Sequence, residues 1–183
     1  DDAAAGTFEL RAAIQHRVAA ARMVVYTSGY DIGATSRPSE PAELLGANQL
    51  SLEYRFFGES RPAAIPWPLL RIEQSAADEH DVLTKLATIY RGATIGTGGS
   101  KGGMQATYHK KFFPGDVDGL VAYVAPNDVI DGIDHYASFL DQVGTDPQCR
   151  ANLAELQRQA LLRRDELVPM VVEYVGLGLE PWE

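Results

Sequence analysis

Six consecutive residues carry the clearest chemical signal in this chain: Gly98-Gly99-Ser100-Lys101-Gly102-Gly103. They contain the pattern Gly-x-Ser-x-Gly, placed between a short apolar run (93–96) and a segment of helical character (101–113) stopped by Pro114. A serine held at a sharp strand-to-helix turn presents its hydroxyl outward. Its neighbours must lack bulk so that strand and helix can close around it. The helix then aims the partial positive charge of its N-terminus at the place where a carbonyl oxygen under attack becomes negative. That chemistry is acyl transfer, with Ser100 as nucleophile and the Lys101 backbone N–H as one donor to the oxyanion. Glycine-rich turns also make plain tight connections or phosphate cradles. A phosphate cradle wants Gly-x-x-x-x-Gly-Lys-Ser/Thr, whereas the order here is Ser-Lys-Gly-Gly.

A second oxyanion donor is expected on the loop after an earlier strand. The candidate string is Thr27-Ser28-Gly29-Tyr30-Asp31, directly after the apolar run MVVYT. Gly29 would admit close backbone approach and the N–H of Tyr30 or Asp31 would face the oxyanion; equally, Gly29 is a simple loop glycine. The nucleophile also needs an imidazole oriented by a carboxylate. Chain order in this type of site puts both after the serine, with histidine on a loop following a late strand. His16, His80, His109 and His135 all lack that context and read as structural. Asp128 follows a strand on a loop and reads either as the acid or as a residue shaping the pocket. The catalytic Asp and His are therefore expected outside this chain.

The elements that must position these residues follow from periodicity. Residues 7–16, 23–27, 49–57, 93–96 and 120–124 read as strands, the second and last as buried apolar runs. Residues 28–47 and 61–68 read as loops. Residues 75–90 form an amphipathic helix with Val82, Leu83, Leu86, Ile89 and Tyr90 on one face. After residue 124 the pattern changes to consecutive helices at 133–143 and 151–164, the latter with an apolar stripe of Leu153, Leu156, Ala160 and Leu161. Strands alternating with helices predict an α/β class with a mostly parallel sheet. The expected organisation is the N-terminal part of an α/β-hydrolase core over 1–128 and the start of a helical cap over 129–183. The remaining strands would come from a second chain or a missing segment.

Composition narrows the function classes. The 183 residues are 45% apolar and 22% charged, ordinary for a globular domain. A net charge of −9 offers no basic face for nucleic acid. No apolar run reaches the roughly 20 residues of a membrane span. Nothing in the sequence calls for a metal or cofactor. Cys149 is the single cysteine, so no disulfide closes within the chain. The first residues, Asp1-Asp2, lack Met, as expected after removal of a leader or trimming.

Several strings together resemble the secreted bacterial tripeptidyl and prolyl tri/tetrapeptidyl aminopeptidases. They are Leu52-Glu53-Tyr54-Arg55-Phe56-Phe57-Gly58-Glu59-Ser60, Ser39-Glu40-Pro41, Ala47-Asn48-Gln49-Leu50, Gly98 to Met104, His109 to Pro114, and Val121 to Asp128. The likeness runs from about residue 7 to residue 164. A more distant resemblance is to the lysosomal Pro-X carboxypeptidase and dipeptidyl peptidase group, with a similar Arg-aromatic-aromatic-Gly-Glu-Ser string and elbow. The resemblance implies a secreted serine peptidase acting on peptides with free N-termini, often after proline, with Ser100 as nucleophile and its Asp and His beyond the cap. It also suggests that Arg55 and Glu59 form a buried pair near the oxyanion loop, the alternative being a surface pair. Competing readings are an esterase or amidase on the same elbow, and an inactive binding domain without the triad Asp and His.

Overall fold

The computed structural model describes residues 6–33, 37–127, 132 and 135–175. It divides into two units, Asp1–Asn127 and Asp128–Glu183.

In the first unit, five strands form one sheet in the order β1-β3-β2-β4-β5: β1 (Ala12–Gln15), β2 (Met23–Thr27), β3 (Asn48–Leu52), β4 (Thr94–Gly99) and β5 (Gly119–Tyr123). β2 pairs in parallel with β3 and β4, and β4 with β5; β1 lies antiparallel on β3 at one edge. Side chains alternate across a strand, and MVVYT serves two cores at once. Met23 and Val25 pack with Leu50, Leu52, Leu83 and Val117 on one face. Val24 packs with Ala42, Ala47 and Ile95 on the other. Leu83 comes from α2 (Ile72–Leu86) and Ala42 from α1 (Glu40–Leu45), so a helix covers each side. α3 (Lys101–Phe112) lies against α2 and β4.

Several elements differ from the sequence reading. β4 runs on to Gly99, and α2 spans Ile72–Leu86 in place of 75–90. The run at 120–124, read as buried, is an edge strand with Val121 and Tyr123 exposed, because only β4 pairs with it among the described residues. The stretch 28–47 contains α1: Ser39 precedes it, Pro41 sits in its first turn and Gly46 ends it in the left-handed region at φ 56°. Pro favours the start of a helix and Gly its end, and both had read as loop signals. The strand expected over 49–57 stops at Leu52, where the chain leaves the sheet and turns through Phe56 (φ 69°) and Gly58 (φ 49°). The strand expected over 7–16 forms only at Ala12–Gln15.

The second unit is helical: α4 (His135–Leu140), α5 (Pro147–Leu162) and α6 (Arg164–Val175). Asp146 caps α5, its carboxylate accepting from the Gln148 N–H at 2.9 Å. α6 was not anticipated; Pro169 lies inside it and argues against a helix at the level of sequence. The stripe residues Leu153, Leu156 and Leu161 are exposed. Residues 133 and 134, where the first of these helices was expected to begin, lie outside the described residues, as does Asp128. Cys149 is a free, exposed thiol.

Candidate active site

β4 delivers the chain to Ser100 and α3 takes it away one residue later. Between them Ser100 adopts φ 52°, ψ −125°, a conformation that L-residues with a side chain rarely hold. The turn is pinned on both sides: the Ser100 N–H donates to the Tyr123 carbonyl at 2.9 Å, and the Met104 N–H donates to the Ser100 carbonyl at 3.0 Å. The Ser100 side chain is exposed at the end of the sheet.

The neighbouring glycines are needed for space. A Cβ on Gly102 would collide with the Thr27 carbonyl oxygen, and one on Gly29 (φ 78°) would lie 2.6 Å from the Gly102 nitrogen. The first turn of α3 and the loop after β2 therefore touch backbone to backbone. Thr27 strengthens the junction: its Oγ1, fully buried, lies 2.7 Å from the Gly102 carbonyl oxygen and 3.3 Å from that of Thr97.

This contact sets Lys101, the first residue of α3, beside the loop that carries Tyr30 and Asp31. The Tyr30 N–H donates to Ser28 Oγ at 3.0 Å, and its carbonyl accepts the Tyr54 N–H at 2.8 Å. The Asp31 side chain is exposed. Its backbone N–H has no hydrogen bond among the described residues.

Glu53 is a supporting residue that sequence reasoning missed. Its buried carboxylate accepts the Ile32 N–H at 3.1 Å through Oε1, and the Ser60 N–H and Oγ–H at 2.8 and 2.7 Å through Oε2. It thereby ties the loop after β2 to the turn after β3. A lone glutamate inside the string LSLEYRFF was the available signal.

The Arg55–Glu59 pair does not form. Arg55 binds Asp78 instead, at 2.7 Å, while the Glu59 side chain is 77% exposed and lies 3.7 Å from Arg11. The correction has a geometric cause: the turn at Phe56–Gly58 sends residues 55 and 59 in different directions, and α2 presents Asp78 to the guanidinium.

Three of the histidines have partners elsewhere. His16 Nδ1 lies 3.0 Å from the Tyr90 hydroxyl. His80 and His109 both bond Asp116 Oδ2, at 2.8 and 2.9 Å. His135 opens α4 in the second unit. Among the described residues no histidine is hydrogen-bonded to Ser100.

A family model described as PS-10 peptidase S37 matches residues 1–177. The chain belongs to this peptidase family. Along 164 residues the peptidase S37 chain is 47% identical to the prolyl tri/tetrapeptidyl aminopeptidase of Streptomyces mobaraensis, an alignment covering 89% of this chain and 34% of that protein. The chain thus spans about a third of the length of this relative. Among solved structures, the proline iminopeptidase of Mycobacterium smegmatis matches with a TM-score of 0.59 at 15% identity, over 96% of this chain and 61% of that one. The monoacylglycerol lipase of Paleococcus ferrophilus matches with a TM-score of 0.50 at 17% identity, over 74% and 52% respectively. At such identities the likeness is one of fold, and the fold is the α/β-hydrolase core. The family resemblance carried by the Arg-Phe-Phe-Gly-Glu-Ser and elbow strings is confirmed by the family match.

Proposed function

We propose that this chain is the nucleophile-bearing part of a secreted serine exopeptidase that releases tri- or tetrapeptides from free N-termini, with cleavage after proline. The observation that carries the reading is the backbone of Ser100, φ 52° and ψ −125°, at the junction of β4 and α3. Ser100 Oγ attacks the scissile carbonyl carbon while its proton passes to an imidazole. The oxyanion is held by the Lys101 N–H and by a backbone N–H of the Tyr30–Asp31 loop. The imidazole then protonates the leaving amine, and water hydrolyses the acyl-enzyme. The imidazole and its carboxylate come from sequence outside this chain, either a continuation of it or a second chain. The edge of the sheet supports this: β5 has one strand neighbour among the described residues, and Val121 and Tyr123 on it are exposed. Residues 129–183, which carry α4, α5 and α6, are the start of a helical cap domain in this reading.

The test is a fluorophosphonate probe on the full-length protein, with Ser100→Ala alongside. Labelling of the wild type alone supports the nucleophile; labelling of both removes it. A chromogenic peptide ending in proline, compared free and N-acetylated, then tests the exopeptidase reading. Equal rates would leave a serine hydrolase without N-terminus selection. A second reading, an inactive binding domain, draws on the engagement of His16, His80 and His109 away from Ser100, and predicts no labelling at all.

A further inference from the structure

The backbone of Lys101 belongs to the site already described; its side chain has no role there. It folds back over the loop after β2 and places its ammonium among three aromatic rings. Nζ lies 4.1 Å from the centre of the Tyr54 ring, 4.2 Å from Phe57 and 4.5 Å from Tyr30. The rings brace one another edge-on: Tyr30 and Phe57 meet at 5.5 Å and 81°, Tyr54 and Phe57 at 5.8 Å and 76°. Among the described residues no carboxylate lies within ion-pair distance of this nitrogen. Burial holds the amine below the usual lysine value. An ammonium that gives up water without a counter-ion is costly. The negative faces of three rings are what this position offers in its place.

The three rings belong to separate backbone segments. Tyr30 is on the loop after β2, Tyr54 lies just past the end of β3, and Phe57 is in the turn that follows. Lys101 itself opens α3, one residue after Ser100. A cation centred between three π faces is drawn to one point, whereas an apolar chain of equal length would slide between them. Tyr30 is also held from the far side through the Tyr54 N–H on its carbonyl.

We propose that the Lys101 side chain is a positioning residue for the oxyanion hole: its caged ammonium clamps the loop after β2 to the N-terminus of α3 and so fixes the spacing of the two backbone donors. The inference rests on the reading of Ser100 as nucleophile. It adds that the residue after the nucleophile needs a cationic side chain, not only a backbone N–H.

The test uses the full-length protein with Lys101→Met, Lys101→Arg, Phe57→Leu and, as control, Ser100→Ala. Two rates are read: peptide turnover, split into kcat and KM, and phosphonylation by a fluorophosphonate, whose P=O oxygen occupies the oxyanion hole. Lys101→Met should lose roughly 10–100-fold in kcat and in phosphonylation, the scale of a small misplacement of reacting groups. KM should stay within about twofold, since transition-state stabilisation is what is removed. Lys101→Arg should recover most of the loss, and Phe57→Leu should lose about 3–10-fold by weakening one wall. Wild-type kcat and phosphonylation in Lys101→Met would overturn the proposal. So would Lys101→Arg as slow as Lys101→Met with both folded. If Lys101→Met does not fold, Phe57→Leu decides, and unchanged phosphonylation there overturns it. Labelling of Ser100→Ala would instead bring down the nucleophile reading, so the two failures are distinct.

Discussion

Arg55 grips Asp78 through two bonds of 2.7 Å each, Nε to Oδ2 and Nη2 to Oδ1. Three further bonds, to the Leu69 carbonyl, the Gln74 carbonyl and Gln74 Oε1, fill the guanidinium, and the rings of Phe8 and Phe56 lie 5.7 and 5.6 Å from it. The pair joins the turn after β3 to the middle of α2. With Arg55 at 4% exposure, removing its partner leaves a buried charge. Asp78→Ala should therefore lose about 3–5 kcal/mol in denaturant unfolding. Glu59→Gln, on an exposed side chain, should stay within about 1 kcal/mol. Similar losses in the two variants would refute this assignment of the pair.

Ser100 carries strain that alanine keeps and glycine releases. Positive φ with ψ near −125° costs a residue with a Cβ roughly 1–3 kcal/mol. Ser100→Gly should accordingly be more stable than Ser100→Ala by about 1–2 kcal/mol, after allowing for the greater unfolded freedom of glycine. Both variants should be inactive. Urea midpoints of the two proteins make the comparison, and equal midpoints would mean the turn is relaxed.

The elbow glycines are not equivalent. Gly99 has open space at its Cβ position, whereas Gly102 has the backbone of Thr27 and Ser28 against it. Gly99→Ala should change stability by no more than about 1 kcal/mol. Gly102→Ala should cost about 3 kcal/mol or more from overpacking, outweighing a helix-propensity gain of about 1 kcal/mol. Thermal unfolding of the pair tests the backbone-to-backbone contact between α3 and the loop after β2.

Away from the elbow, Glu79 and His109 are buried side by side, with His109 Nδ1 3.2 Å from Glu79 Oε1 but not aligned for a hydrogen bond. Burial, helped by the charge of Asp116, pushes Glu79 up from 4.5 to about 8. Burial pushes His109 down from its ordinary 6.5, against the pull of Asp116. Both are then neutral in the folded protein near pH 7. The raised glutamate favours folding fully only below its unfolded value, and that contribution is lost as pH rises toward 8. His109 works in the opposite sense and only below 6.5, where the unfolded imidazole takes a proton that the folded one refuses. Between pH 6.5 and 8 Glu79 dominates, and stability should fall by about 1 kcal/mol, less than 1.36 kcal/mol per unit because the folded carboxyl itself titrates near 8. Glu79→Gln should flatten the stability profile across that window; an unchanged slope in the variant would show that another group titrates there.

The sequence alone determined the buried strand MVVYT, the presence of a strand at LVAYV, the strand–Gly-Gly-Ser–helix order and the family, whereas the burial expected of LVAYV fails at the sheet edge. Each is written in contiguous residues: an apolar run needs cover on both faces, and a turn that admits no Cβ must be spelled in glycine. The partner of Arg55 was decided only by the tertiary structure, because a guanidinium reaches whichever carboxylate the packing brings to it, here one 23 positions away on α2. Glu53 became a clamp between two loops by the same route, and the cage around Lys101 draws its rings from three segments that meet only once β2, β3 and β4 have paired. Spacing along a chain fixes which residues share a face of one element. Contacts between elements depend on where each turn sends the backbone, and the turn through Phe56 and Gly58, with both residues at positive φ, separated Arg55 from Glu59 in a way that their nearness in sequence concealed.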